Sequence, residues 1–159
     1  MGAHVSVCPN HTVGRNTPFE TRGNVALAGT FGYELDVTKL SAEDKAAIPK
    51  QIDTYHKYNE LIRLGDYYRL ASYSKNNLYD CYEVVSKDKS EALITFVQVL
   101  NQPNMHSINI KIDGLDDNKV YKIEGSDKSY HGSTLKNAGL LIERPWGDFQ
   151  SMLIHLVEE

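Results

Sequence analysis

One strand-then-helix unit stands alone in this chain, and it restricts the possible folds more than any other feature. Thr30 to Leu35 is short, β-branched and aromatic, and Ser41 with Asp44 three residues on opens a helical pattern that runs to about Leu64. A strand feeding a helix normally belongs to a parallel sheet whose strands are covered on both faces. The chain offers a single such strand. A closed eight-fold βα barrel takes about 250 residues, against the 159 present. The unit therefore reads as a slice of a larger cylinder, its other strands expected upstream of Met1 or in another chain.

The flanking segments extend the pattern. Thr17 reads as a helix N-cap, with Pro18 at the favoured first position and Glu20 completing a capping box. Gly29 supplies the stop. In the second helix Ile48, Ile52, Tyr55 and Ile62 recur at helical spacing and predict one apolar face. Pro49 removes a backbone donor inside that helix, which predicts a kink or a late start. Beyond Gly65 the period changes from 3.6 to 2. Ile108, Ile110 and Ile112 alternate with Asn109 and Lys111, as in a strand with one wet face. Residues 91–100 are apolar on both faces, as in a central strand. Further strands are predicted at 67–73, 78–86, 119–125 and 149–158, separated by turn clusters such as Lys75-Asn76-Asn77 and Asp113-Gly114. Short strands at this spacing point to an antiparallel sandwich.

Composition excludes several classes of function. Seventeen basic and twenty-one acidic residues give a net charge of −4, with the cations scattered, so the electrostatic footprint of a nucleic-acid binder is missing. No apolar run reaches the roughly 20 residues of a membrane span. Cys8 and Cys81 are too few to staple a secreted scaffold, which points to a reducing, cytoplasmic setting.

Four sequence blocks carry a specific resemblance: GAHVS at Gly2 to Ser6, PNH at Pro9 to His11, TPFETRGNVA at Thr17 to Ala26, and GTFGYELD at Gly29 to Asp36. In this order and spacing they resemble the last third of the barrel of melibiase-type α-galactosidases, glycoside hydrolase family 36. Cys8 replaces a usual aliphatic residue and Thr12 a usual glutamine. The resemblance implies an α+β chain: the C-terminal remnant of a (β/α)8 TIM barrel, arranged helix–strand–helix over residues 1–64, then an antiparallel β-sandwich over 65–159. Thr17 to Gly29 would be the seventh helix, Thr30 to Asp36 the eighth strand and Ala42 to Leu64 the eighth helix. Met1 matches an interior methionine of the family, so truncation of a longer enzyme is expected.

The activity so implied is retaining hydrolysis of terminal α-galactosyl residues from oligosaccharides such as melibiose and raffinose. Retention needs two carboxyl groups about 5 Å apart. The resemblance places the nucleophile in a Lys-Trp-Asp type segment and the acid/base in a Ser-Asp-x-Thr-Asp type segment, and neither occurs in this sequence. No catalytic residue is therefore assigned, the chain alone is expected to be inactive, and no cofactor is expected. The residues that would separate α-galactosidase from α-N-acetylgalactosaminidase specificity also fall outside it.

Within the first loop, His4, Asn10, His11 and Arg15 are candidates for an active-site rim, since barrel sites are assembled from loops at the C-terminal ends of strands. A structural alternative is a polar network of Arg15, Glu20 and Arg22 that braces the barrel mouth. His4, Cys8 and His11 also have the chemistry of zinc ligands, but no second ligand pair accompanies them, so no metal is expected. Ser6 with a neighbouring histidine lacks a nucleophile elbow. Asn10-His11-Thr12 fits a glycosylation sequon, relevant only in a secretory pathway. Ten tyrosines, among them Tyr67, Tyr68, Tyr73, Tyr79 and Tyr82, are candidates either for capping the core or for stacking sugars. Trp146, in the run from Glu143 to Gly147, is expected to close the edge of the sandwich. A noncatalytic carbohydrate-binding or assembly module stands as the alternative function. An orphan barrel strand further predicts self-association through unpaired edges.

Overall fold

The computed structural model describes residues 2–104, 107–143 and 145–159. Met1 and Arg144, on which two of the expectations above touch, lie outside them. Ten strands and four helices are named: β1 (Val5–Ser6), α1 (Phe19–Ala26), β2 (Tyr33–Glu34), α2 (Ala42–Leu64), β3 (Asp66–Ala71), α3 (Tyr73–Asn76), β4 (Tyr79–Val85), β5 (Glu91–Gln98), β6 (Ile108–Ile110), β7 (Val120–Ile123), β8 (Ser129–His131), α4 (Gly132–Asn137), β9 (Leu140–Ile142) and β10 (Gln150–Glu158). No helix among the described residues is long and apolar enough to cross a membrane.

The first correction concerns the solitary strand. β1 pairs in parallel with β2, Val5 against Tyr33 and Ser6 against Glu34, and a further parallel bridge joins Gly2 to Thr30. Two adjacent parallel strands are present where one was read. The signal was short: Val5 is fully buried, but two residues of strand leave no alternation to detect.

α1 begins one residue later than expected. Pro18 is the extended residue before it, and no side chain caps the helix. The capping box of Thr17 and Glu20 does not form, because Thr17 lies one position too far out and its carbonyl instead accepts from Arg22 Nε at 3.1 Å. α2 starts as expected, with Ser41 Oγ accepting from the amide of Asp44 at 3.0 Å and two acidic residues in the first turn, where the helix dipole favours them. It runs from Ala42 through Pro49, so no late start occurs. Its apolar positions serve two surfaces. Ala47 and Ile48 pack with Val5, Phe19 and Ala26, whereas Tyr58, Leu61 and Ile62 pack against Val84 and Leu93 of the large sheet. Ile52 lies on neither surface and stays 36% exposed.

Gly65 ends α2 and lets the chain turn tightly into β3. A Cβ there would stand 2.6 Å from Val84 Cγ1 and 2.7 Å from the carbonyl oxygens of Leu61 and Val85. The helix and the sheet approach so closely that only glycine fits.

Beyond it, six strands form an antiparallel sheet in the order β3-β4-β5-β10-β7-β8. β5 lies inside it between β4 and β10, and alternate side chains enter different layers. Ala92, Ile94 and Phe96 join the main core with Ile110, Leu140 and Ile142 from the small β6–β9 sheet, Ile112 just beyond β6, and Leu135 from α4. Leu93 joins the layer under α2. β8, β9 and α4 are not evident in the sequence, since each spans six residues or fewer. Trp146 contradicts its expected place: it is 86% exposed. Gln98 Nε2 donates to the carbonyls of Pro145 and Gly147 at 2.9 and 2.7 Å, and this fixed turn carries the indole away from the core.

Candidate functional site

The loop that follows β1 is shaped by its own side chains. Asn10 Oδ1 accepts from the amides of Thr12 and Val13 at 3.0 and 3.1 Å, its carbonyl accepts from Gly14, and its amide donates to the carbonyl of Arg15. Gly14 takes φ +66°, which a glycine adopts without strain. The result is a closed turn that returns the chain toward α1.

Arg22 on α1 secures the base of this loop. Its Nη1 donates to the carbonyl of Ser6 at 2.5 Å and its Nε to the carbonyl of Thr17, while the guanidinium lies 5.1 Å from the Phe19 ring centre. One planar fork thus joins the end of β1, the end of the loop and the start of the helix. Arg15 lies over the ring of Phe149, just before β10, at 5.1 Å. Glu20 lines a separate cavity between α1 and α2. The anticipated three-residue network of Arg15, Glu20 and Arg22 is therefore replaced by Arg22 acting on backbone carbonyls.

Two cavities open at the C-terminal ends of β1 and β2. The smaller, about 110 Å³, is lined by Ser6, Cys8, Asn10, Arg15 and Arg22 among others. The larger, about 320 Å³, adds Leu35, Asp36, Lys39 and Asp44 around the shared Cys8 and Arg22. Hydrogen bonds from the hydroxyl and amide of Thr38 hold the Asp36 carboxyl below the usual carboxylate range.

Of the four rim candidates, Asn10 and Arg15 line the smaller cavity. His4 and His11 line neither; His11 is exposed, and His4 Nε2 lies 2.9 Å from Glu34 Oε2 across the β1–β2 pair. Cys8 makes only long contacts, its thiol 3.6 Å from the carbonyl oxygen of Thr17 and 3.7 Å from Asn16 Oδ1. Among the described residues no group of three or more His, Cys, Asp or Glu side chains is arranged to hold a metal ion. The tyrosines are mostly packed: Tyr79 lies against Phe96, and Tyr68 against the main core. Tyr67, 52% exposed, lies 5.6 Å from Tyr82 and under Arg69.

Sequence reading missed Gln51, which organises the ground below the cavities. Its Nε2 donates to the carbonyl of Phe19 and its Oε1 accepts from the Tyr33 hydroxyl, each at 2.9 Å, so one α2 side chain ties α1 to β2. The available signal was Gly23 inside a helix, where glycine costs about 1 kcal/mol relative to alanine unless close packing requires it. It also missed the link from α1 to β10, in which Asn24 Nδ2 donates to Ser151 Oγ and Ser151 Oγ donates to Thr21 Oγ1.

A parallel strand pair with its helices, polar cavities at the strands' C-terminal ends and an attached antiparallel sheet make up the described structure. Residues 1–65 match the family described as Melibiase, and residues 79–156 match the glycosyl hydrolase family 36 C-terminal domain. The α-galactosidase AgaA of Geobacillus stearothermophilus is 42% identical over 98% of this chain, which covers 21% of its length. The solved structure of that AgaA, substituted and in complex with raffinose, superposes on 100% of the chain with a TM-score of 0.95 at 41% identity, over 22% of its own chain. The galactosidase domain of the α-galactosidase–sucrose kinase AgaSK does so with the same score at 38% identity. The chain belongs to glycoside hydrolase family 36. It spans about a fifth of the length of the curated relatives it matches.

Proposed function

We propose that this chain is the C-terminal part of a retaining α-galactosidase acting on raffinose- and melibiose-type oligosaccharides. The observation that carries the reading is the superposition of the whole chain on a raffinose-bound relative at 41% identity. In this reading β1 and β2 are the last two staves of a (β/α)8 barrel, α1 and α2 its last two helices, and residues 65–159 a stabilising sandwich. Asn10 and Arg15 face the mouth of the pocket, and Arg22 holds the loop that bears them. The paired carboxylates that retention requires belong to segments whose motifs are absent from this sequence. The exposed edges of the two staves favour association with the rest of the barrel or with another copy. The two cysteines, both free thiols, favour a cytoplasmic setting.

The test uses p-nitrophenyl α-galactoside. The purified chain is expected to release no p-nitrophenol above background, and co-expression with an upstream family polypeptide carrying both acidic segments is expected to restore release. Release by the chain alone, in proportion to its concentration, refutes the proposal.

A further inference from the structure

The runs 2–6 and 30–34 form one parallel ladder, in which the amides of Ala3 and Val5 donate to the carbonyls of Thr30 and Gly32. Successive side chains of a strand point to opposite faces. Ala3, Val5, Phe31, Tyr33 and Leu35 pack with Phe19 and Ala26 of α1 and with Ala47 and Ile48 of α2. His4, Ser6, Thr30, Gly32 and Glu34 therefore make up the other face. It carries no bulky apolar side chain, whereas the interior of a packed barrel is filled by branched ones.

An opening lies in the middle of this face. A Cβ added to Gly32 would meet nothing within 4 Å, and Gly32 does not take the left-handed backbone that would call for glycine. Glycine weakens a strand, and where neither a bend nor a bulge needs it, it marks the close approach of a ligand or of another backbone. His4, one residue back from the Val5–Tyr33 pair, stands beside Gly32, and its Nε2 lies 2.9 Å from Glu34 Oε2. The Glu34 side chain stays 75% exposed. A carboxylate is thus held at the edge of the opening with capacity to accept further hydrogen bonds.

We propose that the opening over Gly32 is part of the pocket for the α-galactosyl group, and that Glu34, positioned by His4, accepts hydrogen bonds from the hydroxyl groups of the sugar. The proposal rests on the barrel reading given above and adds to it the residues of one binding wall. A neighbouring stave would meet this face with branched apolar side chains and leave the Glu34 carboxylate buried without donors, at high cost. A polyhydroxylated ring supplies those donors and fits against a backbone that has no Cβ in the way.

The test uses the full chain co-expressed with the upstream family polypeptide, and p-nitrophenyl α-galactoside as substrate. Silence of the wild-type pair is the failure of the proposed activity, and the binding wall falls with it. With an active wild-type pair, Gly32→Val and Glu34→Ala are each expected to raise KM about tenfold and to keep kcat within about threefold, as the loss of uniform binding does. His4→Ala is expected to raise KM about threefold, and His4→Gln, which keeps an N–H donor, to recover most of it. In urea denaturation of the chain alone, Gly32→Val is expected to be at least as stable as wild type, because valine suits a strand and meets nothing there. An unchanged KM in Gly32→Val or in Glu34→Ala overturns the proposal. So does exclusion of the Gly32→Val chain from the complex on size-exclusion chromatography, which gives the space to a neighbouring stave, and so does a Gly32→Val chain less stable than wild type, which shows the space to be filled.

Discussion

Gln51 lies directly on Gly23: a Cβ added to the glycine would stand 2.4 Å from Gln51 Nε2. The amide reaches that position because it bonds the Phe19 carbonyl on one side and the Tyr33 hydroxyl on the other. The missing Cβ of α1 is thus the space through which α2 holds β2.

Replacing Gly23 by alanine sets two effects against each other. Alanine favours the helix by about 1 kcal/mol, while displacing Gln51 forfeits two hydrogen bonds worth about 1 kcal/mol each. A net loss of about 1 kcal/mol is expected for Gly23→Ala, read from urea denaturation. In a Gln51→Ala background the same change is expected to stabilise by about 1 kcal/mol. If the sign does not reverse, the space is not what selects the glycine.

Glu83 supplies a pH dependence of its own. It is fully buried on β4, with Oε1 accepting from the amide of Asp113 at 2.8 Å and Oε2 making no hydrogen bond among the described residues. Burial raises its carboxyl to about 8, against the opposing bond from Asp113 and with the help of the Asp113 charge. The folded protein therefore holds it as the neutral acid, whereas the unfolded chain ionises it near the ordinary glutamate value. Its contribution is fully present in acid and is lost as pH rises toward about 8, by about 1.4 kcal/mol per unit. Glu83→Gln cannot ionise, so its stability relative to the wild type is expected to rise by a few kcal/mol between pH 5 and pH 9. A constant difference across that range refutes the assignment.

The bracing role of Arg22 makes a third prediction. Arg22→Ala removes two hydrogen bonds to backbone carbonyls and the cover over Phe19, and is expected to cost about 2 kcal/mol. Lysine has no planar fork, so Arg22→Lys is expected to recover less than half of that. His11→Ala, at an exposed position outside both cavities, is expected to leave the melting temperature within about 2 °C of wild type. Thermal denaturation of the three variants checks the ranking, and an Arg22→Lys protein as stable as wild type removes the fork from the account.

Much of the architecture was legible because long elements repeat their signals. α2 announced itself through Ser41, Asp44 and Gly65, and β5 and β10 through apolar runs bounded by turns. Elements of two or three residues, such as β1, β8 and β9, contain too few positions to display a period. In the candidate site, Asn10 and Arg15 were named from the loop's position, and the structure sets them on one cavity. His4 and His11 shared the same sequence neighbourhood but face elsewhere, because side-chain direction in a turn depends on backbone angles that spacing does not specify.

By itself the sequence determined the family, the division between helical and extended halves, and the apolar patterning of the longer strands, all properties of local pattern. The tertiary structure alone decided that Gln51 meets Gly23, that Arg22 grips Ser6 and Thr17, and that His155 comes between Glu91 and Glu124. Those partners lie up to 64 residues apart in the chain. Contacts over such separations are fixed by how close-packed layers come together, and no local run of residues encodes that meeting.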